Sequence, residues 1–283
     1  MKKQKSAKGL SDFENAHGGT KIAALKHSLE VEHKKVEALA DVQGKLVLRK
    51  TKDNTVRFAL TGDRHHGSLY HHGAALHAFY DFLKSEGITD VYDAGDILDG
   101  HKVYKGQEFE LRDLGFEAQM NGLAKCAPTE VRTHFITGNH DASFKNAAGV
   151  HVGSCIAERI KNYVFLGEEQ GRVRWETPEG PFELMLIHPG GGSSYALSYR
   201  PQKIVESLEG GTKPDMLAIG NYHKAEFIPS YRNVAVVQVG TFQRQTPFMA
   251  RQGLAAHVGG WIVEVSVNEG CKVIKTQFVP FYV

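Results

Sequence analysis

The stretch VRFALTGDRHHGS, residues 56–68, passes from an apolar strand directly into glycines and polar side chains. Two later stretches repeat this pattern, VYDAGDILDG at residues 91–100 and VRTHFITGNHD at residues 131–141. Apolar residues at helical spacing lie between them, so strands and helices alternate along this half of the chain. Such alternation predicts an α/β protein with a mainly parallel first sheet, in which ligands bind at the carboxyl ends of the strands.

The second half of the chain has a different pattern, with strand-length apolar runs and few helices between them. These runs lie at residues 182–187, 216–219, 234–239, 261–267 and 273–279. The pattern predicts that these strands form a second sheet packed on the first. We therefore expect an α/β fold in which a two-sheet β-sandwich is flanked by helices.

The amino-terminal part predicts a separate segment. Residues 1 to about 20 are rich in lysine, glycine and serine, and apolar residues then recur at helical spacing to about residue 40. We expect residues 1–44 to form a basic tail and a helix that packs on the main domain or on a partner. Residues 45–283 are expected to form one domain, and nothing in the pattern predicts the oligomeric state.

Composition limits the classes of function only broadly. The 283 residues are 41% hydrophobic and 23% charged, with a net charge of +2, which neither requires nor excludes a nucleic-acid partner. Three widely spaced cysteines give no disulfide framework. No apolar run has the length of a membrane span or follows the basic amino terminus as a secretory signal would. We therefore expect a cytoplasmic protein without a membrane partner.

Residue types that bind metals follow five of the strands. Carboxylate, imidazole and amide-oxygen ligands without thiolates favour divalent ions such as Mn, Fe, Zn or Co. Loops that follow separate strands converge at the carboxyl ends of those strands. We therefore expect these residues to meet at one site. The candidates are Asp63, His65, Asp96, Asn139, His140, His188 and His223.

The ordered motifs resemble those of the calcineurin-like metallophosphoesterase superfamily, over about residues 56–270. That family has D-x-H, G-D-x-x-D, G-N-H-D/E, H and G-H-x-H in this order, and this chain has DRH at 63–65, GDILD at 95–99, GNHD at 138–141, His188 and GNYH at 220–223. The opening DRHHGS is similar to the D-x-H-x-G-S of the nuclease and phosphodiesterase branch, and later stretches look like phage and microbial phosphoesterases. The resemblance implies a four-layer αββα domain.

The resemblance also implies a role for each matched residue. The first metal would be bound by Asp63, His65, Asp96 and His223, and Asp96 would bridge to a second metal that Asn139 and His188 also bind. His140 would contact the substrate phosphate and Asp141 would orient His140. Asp99 would hold a ligand loop in place. The residues of these implied roles are all present in the sequence.

One position departs from the family pattern. Asn221 stands where the first histidine of G-H-x-H normally completes the second metal site. An amide oxygen is a weaker donor with a shorter reach, so Asn221 predicts a looser second site, a bias toward a harder ion such as Mn or Mg, or a lost activity. Outside the motifs, Arg64 and Arg200 are candidates for contact with a substrate phosphate. Phe242, Phe248 and Trp261 are candidates for stacking on bases, although aromatic residues beside strands usually belong to the core.

The resemblance implies a hydrolase that cleaves a phosphoester with a metal-bound hydroxide, using two divalent ions. Manganese is the expected metal, with Fe, Zn, Mg and Co as alternatives. We expect a phosphodiesterase or nuclease acting on DNA or another nucleic acid. Two alternatives remain open: a phosphomonoesterase or small-nucleotide phosphodiesterase, and a non-catalytic binding or structural protein that retains the fold and contacts its partner through the amino-terminal helix.

Overall fold

The computed structural model describes residue 27 and residues 46–192 and 194–282. The chain divides into two units, Met1–Val42 and Gln43–Val283, and the fold presented below is that of the second. Apart from His27, the predicted tail and helix at residues 1–44 lie outside the described residues, as does the partner contact predicted there. None of the described helices is long and apolar enough to cross a membrane.

Strands and helices alternate in the first half, as predicted. The strands are β1 (Leu46–Lys50), β2 (Thr55–Thr61), β3 (Asp90–Asp93), β4 (Arg132–Thr137), β5 (Tyr163–Glu168), β6 (Gln170–Thr177), β7 (Gly180–Ile187), β8 (Met216–Ile219), β9 (Ala225–Tyr231), β10 (Val234–Val239), β11 (Gly259–Asn268) and β12 (Cys271–Pro280). The helices are α1 (Gly73–Ser85), α2 (Gly115–Cys126), α3 (Asn139–Ala148), α4 (Val152–Arg159), α5 (Tyr199–Ser207) and α6 (Pro247–Arg251), and Gln107–Phe109 is a short 3-10 turn.

The strands form two six-stranded sheets, which confirms the predicted two-sheet α/β fold. The first sheet has the order β12-β11-β2-β3-β4-β5, and the second has the order β1-β6-β7-β8-β10-β9. Within the first sheet, β2 to β5 pair in parallel. Their carboxyl ends therefore lie along one edge, where the loops that follow β2, β3 and β4 can meet.

The predicted membership of the second sheet is wrong for the last two strands. Strand β11 pairs with β2 in antiparallel fashion from Trp261 to Ser266, so β11 and β12 extend the first sheet. Both faces of β11 are buried, with Val263 in the core between the sheets and Ile262 against α1. A strand that is apolar on both faces fits either sheet, so its pattern does not determine its neighbour.

Four layers result from how the apolar side chains pack. Phe58, Trp175 and Phe182 lie between the two sheets, where the rings of Phe58 and Trp175 stack at 5.3 Å. Helices α1 to α4 cover the outer face of the first sheet, and α5 covers the outer face of the second through Val205. Helix α2 begins at Gly115, whose left-handed φ of 80° separates the helix from the 3-10 turn before it.

Candidate metal centre

The loops that carry the candidate ligands have an unusual backbone. Five candidate ligand residues adopt left-handed φ angles, which side chains with a Cβ rarely do. Each such residue costs on the order of 1–3 kcal/mol and persists where the surrounding structure enforces it, as it does at functional sites. The residues are Asp63 (φ 49°), His65 (48°), Asp96 (54°), Asn221 (75°) and His223 (53°).

Hydrogen bonds tie these loops to one another. The amide of Asp63 donates to the carbonyl of Gly95 at 2.8 Å, and the amide of His65 donates to the carbonyl of Asp96 at 3.0 Å. The amide of Asn221 donates to both carboxylate oxygens of Asp63, at 3.0 and 2.9 Å. The left-handed residues therefore belong to one connected set of loops in which the side chains converge.

One group of ligand atoms lies around Asp63, His65 and His223. The Nε2 atoms of His65 and His223 are 3.0 Å apart, and the Nε2 of His223 lies 3.6 Å from Oδ1 of Asp63. Two nitrogen ligands of one transition-metal ion, each about 2.0–2.1 Å from it, stand at about this separation. These three residues are the ones that the resemblance assigned to the first metal, together with Asp96.

A second group lies around Asp96 and His188, with Asp63 also within reach. The Nε2 of His188 is 3.1 Å from Oδ2 of Asp96 and 3.1 Å from Oδ1 of Asn139. The same Oδ2 of Asp96 lies 3.8 Å from the Nε2 of His65, which belongs to the first group. Asp96 therefore faces both groups through one oxygen, which is the position that a bridging carboxylate requires.

The ligand histidines are held in the orientation that metal binding requires. The Nδ1 of His65 lies 2.9 Å from Oδ1 of Asp99, and the Nδ1 of His188 lies 2.7 Å from the carbonyl of Ala94. A proton on each Nδ1 leaves the Nε2 with a lone pair directed into the site. The carboxylate of Asp99 contacts the ring of a candidate ligand, and its role in holding a ligand loop stays a prediction.

The charges of the site favour divalent cations. Burial raises the pKa of Asp63 to about 7. Burial by itself lowers the pKa of His188, but the carboxylates of Asp96 and Asp63 outweigh it and raise that pKa to about 10. A proton on His188 therefore balances part of the buried negative charge, and a bound cation would take its place. Buried carboxylates and imidazole nitrogens that converge in this way fit a divalent ion.

His140 belongs to neither of these two groups, but its side chain forms a third cluster of possible ligand atoms with His65 and Asp99. Its amide donates to Oδ1 of Asp96 at 2.8 Å, and its Nδ1 donates to the carbonyl of Asp99 at 2.6 Å. The ring packs edge-on against His65, with 4.4 Å between the centroids. Because Nδ1 carries the proton, the Nε2 of His140 is free for another partner, and the side chain lines the pocket in front of the site.

The predicted contact between Asp141 and His140 is wrong. The buried carboxylate of Asp141 accepts hydrogen bonds from the amides of Ile97, Leu98 and Gly138, at 3.2, 2.9 and 3.0 Å. Asp141 lies at the start of α3 and its carboxylate turns back toward the β3 loop, so it cannot reach the imidazole at the same time. The residue that orients His140 is Asp99, through its carbonyl.

The predicted contact between Arg64 and a substrate phosphate is also wrong. Arg64 is fully buried, and its Nε donates to Oδ2 of Asp93 at 2.6 Å. Its other nitrogens donate to the hydroxyl groups of Tyr163 and Tyr80, at 2.8 and 2.7 Å. Asp93 also accepts from the amide of Gly95 at 3.0 Å. Through Asp93, Arg64 therefore links the loop after β2 to the loop after β3 on the buried side of the site.

Arg200 and Asn221 both hold the glycine-rich loop that follows β7. A guanidinium nitrogen of Arg200 donates to the carbonyl of Gly190 at 3.2 Å, and the amide nitrogen of Asn221 donates to the carbonyl of Gly191 at 2.7 Å. The φ of Gly191 is 84°, and a Cβ there would collide with Arg200. The roles of Arg200 toward substrate and of Asn221 toward a metal remain predictions.

Two glutamines complete the site, and neither stands near a motif. Gln107 donates through Nε2 to the carbonyl of Asp99 at 2.6 Å, and Gln243 donates through Nε2 to the hydroxyl of Ser68 at 3.1 Å and to Oδ1 of Asp99 at 3.3 Å. Both side chains are buried. Gln107 lies in the 3-10 turn and Gln243 lies in the loop after β10. No local sequence pattern predicts that either residue belongs to the site.

The ligand groups form one side of a pocket of about 300 Å³. His65, Asp96, His140 and His223 line the pocket, and Tyr104 and Phe248 are among its other lining residues. We call this cavity the site pocket. Among the described residues that line it, neither lysine nor arginine occurs.

Two packed sheets whose strand ends carry these motifs confirm the resemblance to calcineurin-like metallophosphoesterases. The chain is similar to the DNA polymerase II small subunit of Halobacterium salinarum, at 26% identity over 246 residues, and to that of Methanocaldococcus jannaschii, at 24% over 252 residues. These matches cover 74% and 73% of this chain but 48% and 41% of the relatives, so the chain spans less than half of their length.

No protein-family profile matches the chain. Similar solved structures include GAP50 of Plasmodium, at 15% identity and a TM-score of 0.47, with 80% of this chain and 84% of that chain covered. A phosphatase from Mycoplasma pneumoniae shows 14% identity and a TM-score of 0.45, with 81% and 94% covered. A dimetal phosphatase from Danio rerio shows 12% identity and a TM-score of 0.39, with 80% and 99% covered.

Substitution of Asn221 tests the second metal position. The Asn221→His variant is expected to bind the second divalent ion roughly tenfold more tightly, because imidazole is a better ligand for these ions than an amide oxygen. The backbone admits the change, since His65 and His223 have similar left-handed φ angles. The measurement is the number of Mn ions bound per chain during a titration.

Asn221→Ala is the matched control for this prediction. It removes the amide oxygen and the hydrogen bond to Gly191 without adding a ligand, so it separates loss of the loop contact from gain of a ligand. Unchanged Mn binding in Asn221→His would show that position 221 does not face the second ion.

Proposed function

We propose that this protein hydrolyses phosphodiesters with the help of two divalent cations, with manganese as the expected metal. The observation that supports this most strongly is the position of Asp96, whose Oδ2 faces both groups of ligand atoms. Asp63, His65, Asp96 and His223 would hold one ion, and Asp96, Asn139 and His188 would hold the other, with the amide oxygen of Asn221 as a further ligand. When bound, the two ions would polarise the phosphoryl group and lower the pKa of water between them.

The chain's own residues supply the remaining functions. His140 faces the pocket with Nε2 free, because its Nδ1 donates to the carbonyl of Asp99. Burial lowers the pKa of His140. When His140 carries a second proton on Nε2, that N–H would donate a hydrogen bond to a phosphate oxygen, or would give its proton to the leaving oxygen as the bond to phosphorus breaks, and either would stabilise the transition state. Asp99 and Asp141 position the loops on which these side chains stand.

The proposed substrate is DNA or another nucleic acid. Two features support this choice: the opening motif resembles the nuclease branch, and the curated relatives are subunits of a DNA polymerase. A phosphomonoesterase or small-nucleotide phosphodiesterase would use the same ligands. The relatives also favour a second candidate, a subunit that binds a larger polymerase chain, and an interaction of that kind does not require catalysis.

Substitution of His140 tests catalysis separately from metal binding. We expect His140→Ala to lower kcat for a single-stranded DNA oligonucleotide by roughly 100- to 10,000-fold, the usual contribution of a general acid or base. Metal content should change little, because His140 is placed beside the two ligand groups. The measurements are Mn-supported release of nucleotides and Mn content by mass spectrometry.

His77→Ala is the matched control, since His77 is exposed on α1. This control should retain wild-type activity. If wild type and His140→Ala show equal turnover at equal Mn content, His140 has no part in the reaction. If the wild-type protein binds two Mn ions and turns over no phosphoester, the non-catalytic subunit is the better account.

A further inference from the structure

Part of the lining of the site pocket is apolar or aromatic. Val103 and Tyr104 come from the loop after β3, and Phe248, Met249 and Leu254 come from α6 and the turn that follows it. We call these five residues the apolar wall. They line the same pocket as the ligand residues, and its volume of about 300 Å³ is at the lower end of the size range of small-molecule pockets.

The aromatic part of this wall is fixed in position. The rings of Tyr104 and Phe248 stack with 4.7 Å between their centroids, and the ring of Tyr104 lies 6.3 Å from that of His140. The hydroxyl of Tyr104 donates to Glu110 at 2.8 Å. Helix α6 is fixed by Thr246, whose hydroxyl accepts from the amide of Met249 at 3.2 Å. The ring of Tyr104 therefore lies beside His140, the residue proposed to contact the phosphate.

Other aromatic residues near the site do not have this exposure. Phe242 is fully buried and packs against Phe79, and Trp261 is buried against Phe278. Phe248 is half-buried and lines the pocket, so it is accessible to a ligand. Phe248 therefore differs from Phe242 and Trp261, because it lines the pocket while its ring stacks on that of Tyr104.

We propose that the apolar wall is a subsite for one unpaired nucleobase attached to the scissile phosphate. The proposal rests on the proposed phosphodiesterase function and adds the chemical class of the substrate. Aromatic side chains stack on any base, and each such contact accounts for about a tenfold change in affinity. A pocket without lysine or arginine among its described lining residues is suited to a single phosphate next to a planar group rather than to a polyphosphate. A base paired inside a duplex cannot enter a cavity of this size.

The test compares two esters with the same leaving group. Thymidine 5′-(p-nitrophenyl) phosphate and methyl p-nitrophenyl phosphate both release p-nitrophenol, and they differ in whether a nucleoside, deoxyribose with its base, is present. We expect the wild-type protein with Mn to prefer the thymidine ester by roughly tenfold in kcat/KM. The Phe248→Ala variant should lose most of that preference, mainly through a higher KM for the thymidine ester.

Two further variants separate the subsite from general damage. Phe248→Leu keeps an apolar side chain without a ring and should lose the preference even if the alanine variant fails to fold. Phe109→Ala is the matched control, because Phe109 is 81% exposed and does not line the pocket, and it should keep the preference. An equal kcat/KM for both esters in the wild type, or a full preference in Phe248→Leu, would overturn the proposal.

Failure of the proposed function has a different signature. If the wild type hydrolyses neither ester, the phosphodiesterase proposal fails, and the subsite is then tested by calorimetric binding of thymidine 5′-monophosphate in the presence of Mn. The subsite predicts roughly tenfold weaker binding by Phe248→Leu than by the wild type. Equal affinities, or absence of binding to the wild type, would contradict it.

Discussion

Replacement of Asp96 by alanine is expected to abolish the binding of two metal ions and to lower kcat by on the order of 1,000-fold or more. The reason is the position of Oδ2, which lies 3.1 Å from the Nε2 of His188 and 3.8 Å from that of His65. Asp63 also belongs to both groups, but its two carboxylate oxygens already accept from the amide of Asn221. If Asp96 bridges the two ions, its removal takes a ligand from each of them at once.

Stoichiometry is the measurement that distinguishes this effect from a simple loss of activity. Mn content per chain should fall from two to one or fewer in Asp96→Ala. Asp96→Asn should behave similarly, although it retains the size of the side chain and an acceptor for the amide of His140. Asp81→Ala, at an exposed aspartate on α1, is the matched control and should bind Mn as the wild type does. Two ions bound to Asp96→Ala would show that the bridging role is misassigned.

Replacement of Arg64 by alanine is expected to destabilise the fold by roughly 3–5 kcal/mol, since it leaves the buried carboxylate of Asp93 without its cation. The ion pair measures 2.6 Å and both side chains are fully buried. The hydroxyl groups of Tyr80 and Tyr163 would also lose their donor. The free energy of unfolding, measured with denaturant, is the appropriate readout.

A nearby arginine provides the control for this prediction. Arg57 is 40% exposed and pairs with Glu86 and Glu264 at 3.5 and 3.4 Å, so Arg57→Ala should cost about 0–1 kcal/mol. The double variant Arg64→Ala/Asp93→Ala should be less unstable than the sum of its single variants, because the second change removes the orphaned charge. If Arg64→Ala instead has the stability of the wild type and a raised KM, Arg64 contacts the substrate.

Much of the site could be predicted from the sequence because its motifs combine three local signals. An apolar run ends, a glycine permits a turn, and a carboxylate or imidazole follows, as at Gly62 and Asp63 or Gly95 and Asp96. Parallel strands then bring separate stretches to one edge of the sheet. The direction of a side chain within such a loop is not contained in the motif. Arg64 stands between two candidate ligands in the sequence, yet its side chain is buried against Asp93, Tyr80 and Tyr163.

The parts that could not be predicted depend on tertiary contacts. Asp99 and Asp141 both stand in motifs, yet which of them reaches His140 depends on how α3 meets the β3 loop. The sheet to which β11 belongs depends on pairing with β2, about 200 residues earlier in the chain. Gln107 and Gln243 reach Asp99 from loops whose sequences carry no metal-site signal.

The central claim is that two divalent ions bind among these residues and that both are needed for phosphodiester hydrolysis. The most direct test is a Mn titration of the wild-type protein in which bound Mn per chain and the rate of thymidine 5′-(p-nitrophenyl) phosphate hydrolysis are measured on the same samples. We predict that binding reaches two ions per chain and that the rate rises with the second ion. Fewer than one ion per chain at saturation, or two ions with no hydrolysis, would contradict the claim.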